Sequence, residues 1–133
     1  MKMYGNWRSA AAFRVRIALN LKGITYEEVF LDLDAGDQHK PDFLAINPQG
    51  AVPALFDGDG PPLTQSLAIL DYLEETRPGL PLLPEEPRAR ARARSLAQVV
   101  ACDSSCGRAT AVPSRIAGQR ARISRTWAAS TLA

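Results

Sequence analysis

Cysteine is scarce in this 133-residue chain: Cys102 and Cys106 are the only two. Two thiols cannot build a disulfide framework, so a reducing, cytoplasmic setting is expected. They stand four positions apart with no His or second Cys pair beside them, a weak zinc signal, and no metal is expected. Histidine is scarcer still, with His39 alone; a lone loop imidazole reads as solvated rather than as a base. No apolar run approaches the roughly 20 residues that span a bilayer. Met1 to Tyr4 lacks the hydrophobic stretch and small-residue cleavage site of a signal peptide. Acid is nearly missing from one end. Residues 88–133 hold nine arginines, no lysine and one acid, Asp103, whereas residues 1–87 hold seven basic and 13 acidic side chains. The net charge of +2 therefore hides −6 followed by +8. The basic end admits nucleic acid or an anionic surface as a partner. Trp127 is its one aromatic beyond Asp103, so a solvated tail is the plainer reading.

What is present is the composition of a soluble globular protein, 46% hydrophobic and 23% charged, long enough for one core. Lys2 to Tyr4 reads as a first strand, broken by Gly5 and Asn6. Ser9 stands where a helix N-cap would stand, before three alanines, and the helix runs to Lys22 with Gly23 as its stop. Ala11, Val15, Ala18 and Leu19 share one face and Ile17 and Leu21 another, so this helix is expected to be buried on two sides. Ile24 to Leu33 reads as a second strand. Asp34 to Lys40 reads as a polar loop and Pro41 to Ile46 as a short helix ended by Asn47-Pro48. Ala51 to Phe56 reads as a strand, Asp57 to Gly60 as a hairpin turn, and Pro62 to Thr64 as the returning strand. Pro53 inside a strand would place it at a sheet edge; it also suits a cis bond. Gln65 to Arg77 is an amphipathic helix with Leu67, Ile69, Leu70 and Leu73 as its stripe. A further helix spans about Arg88 to Cys102. The order is β-α-β-α-β-β-α.

Ser9 therefore sits at a strand-to-helix junction beside free N–H groups and the positive end of a helix dipole. Such a place holds an anion, and a thiolate is one candidate. Taken alone, Ser9 reads first as an ordinary cap.

The element order, Val52-Pro53 at the third strand and the polar pair opening the last helix resemble the thioredoxin-like N-terminal domain of glutathione transferases. Four stretches sharpen the likeness to the zeta class, the maleylacetoacetate isomerase family with its bacterial maleylpyruvate isomerase members: WRSAAAFRVRIALNLKG (7–23), NPQGAVPAL (47–55), TQSLAILDYLEETRP (64–78) and LLPEEPRARARARSLAQVVACD (82–103). The resemblance implies an α/β thioredoxin-like domain over residues 1–80. A linker and the start of an all-α domain follow over 81–133, with an atypical tail from about 104. It implies glutathione as cofactor, a maleyl-type acid as substrate, a cis–trans isomerase or transferase activity and a homodimer. Ser9 takes the catalytic role; Ser9, Ala11, Gln38, Val52, Pro53, Gln65 and Ser66 take glutathione. In the family the first serine is commonly followed by Ser-Cys; Ser9-Ala10-Ala11 keeps only the hydroxyl. Arg14 and Arg16 are candidates for substrate carboxylates, with structural pairing the plainer role for Arg16. The tail lacks the family's His-Pro and Asn-Asn stretch after Cys102-Asp103, which reads as a truncated or frame-shifted C-terminal region. The alternative function is a non-catalytic glutathione-binding or adaptor module.

Overall fold

The computed structural model describes residues 1–103. Its frame is a four-stranded sheet in the order β2-β1-β3-β4, made of β1 (Lys2–Gly5), β2 (Glu27–Phe30), β3 (Ala54–Phe56) and β4 (Leu63–Thr64). β1 runs parallel to β2 and antiparallel to β3, and β3 is antiparallel to β4. A parallel neighbour needs a crossover, and α1 (Ala10–Leu21) supplies it. The helices α2 (Pro41–Ile46), α3 (Ser66–Thr76) and α4 (Pro87–Asp103) follow, with a single 3₁₀ turn at Asp37–His39. That turn stands in the stretch expected to be plain loop; Gly36 at φ +77° starts it and the Asp37–Lys40 ion pair at 2.7 Å spans it.

The second and third strands differ from what the sequence pattern predicts. The second strand was expected over Ile24–Leu33, yet only Glu27–Phe30 pairs, because β1 offers four residues of ladder and no more. Pro53 does not make its strand an edge. β3 is interior and begins at Ala54, one residue past the proline, so no ladder bond is asked of the missing N–H.

The core lies on one face of the sheet. Met3 and Leu55 meet Val15, Ala18 and Leu19 of α1 and Ile69 and Leu73 of α3. The opposite face carries Tyr4, whose ring lies 5.9 Å from Phe43 of α2 and 6.0 Å from Phe56. Alternation along β1 produces this split, since neighbouring side chains on a strand point to opposite faces. α1 buries Ala12, Val15, Ala18 and Leu19, while Ile17 and Leu21 stay about half exposed. The expected burial on two sides is thus corrected. α3 and the sheet cover one face of α1, and the other is open among the described residues. Ala12, rather than Ala11, completes the buried row.

A clamp joins α1, α3 and the segment that leads to α4. The Lys22 ammonium, its side chain 2% exposed, reaches Glu74 at 2.9 Å and donates to the Arg77 carbonyl at 3.1 Å. Glu74 in turn accepts from the N–H groups of Leu82 at 3.0 Å and Leu83 at 3.2 Å. These backbone bonds, with the ammonium beside them, hold the Glu74 carboxyl below its ordinary pKa. Met1–Ala101 form one compact unit. Residues 104–133, where the basic tail, Cys106 and the frame-shift reading fall, lie outside the described residues.

Candidate active site

Sheet register brings the candidate residues to one end of the sheet. Tyr4 pairs with Ala54, and Ala54 with Thr64. The exit of β1, the approach to β3 and the exit of β4 therefore meet. Gly5 pairs with Phe30, so the exit of β2 joins them. The turn bearing Ser9, the Val52-Pro53 pair, the start of α3 at Gln65-Ser66 and the Gln38 loop all lie at this end. Residues up to 57 positions apart in sequence become neighbours only through the ladder.

Ser9 is the N-cap of α1, extended at φ −74°, ψ 112°. Its Oγ accepts from the Ala12 N–H at 3.2 Å. That is the ordinary capping role, and it leaves the hydroxyl proton free to donate. Ala10 is exposed and Ala11 half-buried, so the first turn is not crowded by side chains. Asn6, 4% exposed, builds the turn below. Its Nδ2 donates to the Leu31 carbonyl at 2.7 Å, its Oδ1 accepts from the Arg8 N–H at 2.8 Å, and its carbonyl accepts from the Ser9 N–H at 3.1 Å. Asn47, 3% exposed, does the same for the approach to Val52. Its Nδ2 donates to the Ala51 carbonyl at 2.7 Å, and Oδ1 accepts from the Gln49 N–H at 3.2 Å. Sequence reading saw these asparagines only as breakers; the signal was the Asx-turn habit of Asn before a turn.

The Val52-Pro53 bond is cis. Among the described residues the Val52 N–H and carbonyl make no hydrogen bond, so both remain available to an extended peptide. Gly50, at φ +60°, lets this turn press on the Gln38 loop: a Cβ there would stand 3.0 Å from His39 Nδ1 and 3.2 Å from the Gln38 carbonyl. Gln38 donates weakly to the Leu33 carbonyl at 3.5 Å, and its buried Oε1 has no partner among the described residues. His39 is exposed, as expected of a solvated residue.

At the start of α3, Gln65 stands at φ 66°, ψ 111°, a region that non-glycine residues seldom occupy. Its Nε2 donates to Gln49 Oε1 at 2.7 Å. Among the described residues no side chain caps this helix, and no acid stands in its first turn. Ser66 is 7% exposed, and its Oγ accepts from Arg14 Nη1 at 2.8 Å. Of the two arginines considered for substrate, Arg16 is bound to Glu28 (Nε to Oε1, 2.9 Å), the structural pairing expected. Arg14 reaches the start of α3 instead. Arg8, not singled out from sequence, lies beside Ser9 and pairs with Asp34 at 2.8 Å. Asp37 is held below its ordinary pKa by Lys40 and by the Asp32 N–H.

These features amount to three separate provisions at one sheet end. They are a hydroxyl at a helix N-terminus, a free backbone pair beside a cis proline, and a second open helix N-terminus. The family model described as the N-terminal domain of glutathione S-transferase matches residues 1–75. The chain belongs to the glutathione S-transferase N-terminal domain family. Its likeness reaches over about three quarters of the chain and to the zeta branch. A maleylacetoacetate isomerase of Rhizobium meliloti (strain 1021) is 55% identical over 101 residues, 76% of this chain and 47% of that protein. A solved maleylacetoacetate isomerase of Methylobacterium extorquens AM1, described with bound malonate and GSH, is 96% identical with a TM-score of 0.77. That match covers 77% of this chain and 48% of the other. A maleylpyruvate isomerase described as a bacterial zeta-class transferase is 48% identical with a TM-score of 0.74, over 77% of this chain and 48% of that one. The chain thus spans about half the length of these relatives. These matches bear out the likeness to the zeta class.

Proposed function

We propose that this chain holds glutathione across the sheet end and takes part in the cis–trans isomerisation of a maleyl-type acid. The carrying observation is that the Ser9 hydroxyl proton, the Val52 N–H and carbonyl and the uncapped start of α3 converge at one end of the sheet, none of them engaged among the described residues. The groups fit a tripeptide with a thiol, two carboxylates and two amides. The orphaned Gln38 Oε1 suits an N–H donor at the glycyl end. The Val52 N–H and carbonyl suit the cysteinyl backbone, with Pro53 holding that turn. The open start of α3, with Gln65 and Ser66, suits the γ-glutamyl carboxylate. Ala11, in the first turn of α1, leaves room for the thiol and offers its backbone.

When bound, glutathione supplies a nucleophilic sulfur that adds to the maleyl double bond, permits rotation and leaves again unchanged. The chain's own task is to keep that sulfur ionised. A free thiol ionises near pKa 8.5, and lowering it by about two units needs roughly 2.7 kcal/mol. One hydrogen bond to a charged partner contributes about 1.5–3 kcal/mol, and a helix N-terminus roughly 0.3–1. Ser9, donating its free proton at the head of α1, meets that requirement without a basic residue or a protein cysteine.

The bound GSH and malonate described for the 96% identical structure support the tripeptide and a small dicarboxylic acid as ligands. A homodimer and a cytoplasmic setting belong to the same proposal. The first rests on the family resemblance, the second on the paucity of cysteine; no helix of the described residues is long and apolar enough to cross a membrane. The test is a glutathione titration followed by an isomerisation assay on maleylacetoacetate and maleylpyruvate. Binding with turnover is expected. Binding without turnover would instead favour an adaptor module, and absence of binding would remove both readings.

A further inference from the structure

We infer that Arg14 is a positioning residue for the anionic end of the ligand, acting through Ser66; this rests on the glutathione reading above. Arg14 is half-buried, and among the described residues no carboxylate pairs with it. Arg8 and Arg16, its neighbours in sequence, each have an acid: Asp34 and Glu28. Among the described residues the one side-chain hydrogen bond of Arg14 goes to a neutral hydroxyl, Ser66 Oγ, at 2.8 Å. A half-buried cation facing only a neutral partner is an unbalanced charge, and an anion balances it.

The direction of that bond decides what Ser66 can do. A guanidinium has donors and no acceptor, so Ser66 Oγ must accept. Its own proton is therefore turned away from Arg14. Serines inside a helix commonly donate to the carbonyl four residues back. Ser66 is the first residue of α3, and the residue four back, Pro62, lies outside the helix. The hydroxyl proton is left to point where the first N–H groups of α3 also point. The first turn of this helix carries no acidic residue of its own. Arg14 thus fixes the rotor of Ser66 as a donor and adds a positive charge behind it. The ligand group that answers both is a carboxylate, here the α-carboxylate of the γ-glutamyl residue. Arg14 belongs to α1 and Ser66 to α3, so the bond also sets the two anion-binding helix ends relative to each other.

The test uses the full chain and two peptides: glutathione, and its analogue in which γ-aminobutyrate replaces the γ-glutamyl residue and so lacks that carboxylate. Dissociation constants are measured by calorimetric titration for the chain as it stands, for Arg14→Gln, Arg14→Lys and Ser66→Ala, and for the double variant. Arg14→Gln is expected to weaken glutathione about tenfold, the size of a lost charge-assisted bond, and to leave the analogue within about twofold. Arg14→Lys recovers part of the loss. On a Ser66→Ala background Arg14→Gln costs less than in the parent, since its route is gone. An equal loss for both peptides means a merely structural arginine and overturns the inference, as does no loss for either, or a full loss in the Ser66→Ala background. If Arg14→Gln fails to fold, Arg14→Lys carries the same comparison between peptides. A parent chain that binds both peptides equally well overturns the role of Arg14 alone, while one that binds neither overturns the glutathione reading with it.

Discussion

At the residue scale, one oxygen serves two purposes. Ser9 Oγ caps α1 by accepting from Ala12 and keeps its proton for a ligand. The two purposes separate under substitution. Ser9→Ala removes both the cap and the donor; it should cost about 1 kcal/mol of stability and lower isomerisation at least tenfold with a modest loss of glutathione affinity. Ser9→Gly keeps helix initiation to within a few tenths of a kcal/mol, so its melting curve should stay near the parent's while turnover falls as far as in Ser9→Ala. Steady-state rates and thermal melts on both variants check this; a near-parental rate in either would mean that backbone amides alone hold the sulfur. Gln65 poses the opposite balance. Its φ of 66° costs a non-glycine residue on the order of 1–3 kcal/mol, and its side chain is tied to Gln49. Gln65→Gly should therefore keep stability within about 1 kcal/mol, strain relief offsetting lost chain stiffness, while glutathione affinity drops severalfold in titration. Ser9 was legible in the sequence because caps have a local signature. Gln65 was legible only as a polar opener; its strained backbone has no sequence mark, since glutamine gives no hint of positive φ.

Between elements, the decisive contacts are polar and long in sequence. Lys22 ends α1, Glu74 lies on α3, and together they hold the Arg77 carbonyl and the Leu82 and Leu83 amides. The Glu74 carboxyl is held down by those bonds, so its contribution is complete above its ordinary value of 4.5 and fades as pH falls through the lowered one. Urea unfolding of the parent should accordingly weaken on acidification below about pH 4.5. Glu74→Gln should be less stable than the parent at pH 7, because it leaves the buried Lys22 ammonium unpaired. It should also lose less on acidification, and parallel pH profiles for the two proteins would remove the clamp from the account. None of this was read from the sequence. Periodicity shows which residues of α3 are apolar, as it did for Ile69 and Leu73, but a Lys and a Glu 52 positions apart carry no sign that they meet. Nor does the sequence carry any sign that Arg14 of α1 bonds to Ser66 of α3.

For the molecule as a whole, the sheet is the organiser. Leu55, on interior β3, is wholly buried between Met3 and the two helices. Leu55→Ala should cost about 2–5 kcal/mol in denaturant unfolding, and because β3 carries the Pro53 turn on its front edge, glutathione binding should weaken with it. A cost under about 1 kcal/mol would mean that the core does not rest on this strand. The amino-acid sequence by itself determined the element order, the capping of α1 by Ser9, the short helix over 41–46, the turn at Val52-Pro53 and the amphipathic stripe of α3. All of these rest on interactions within a few residues: propensity, caps, turn chemistry and periodicity. Only the tertiary structure decided that Glu27–Phe30 is all that pairs of the second strand, that β3 is interior, and that Ile17 and Leu21 are left open among the described residues. It alone joined Ser9, Val52, Gln38 and Ser66 at one end of the sheet. The reason is that ladder partners and burial depend on which distant segments arrive, and a linear pattern records each segment's preference but not its neighbour.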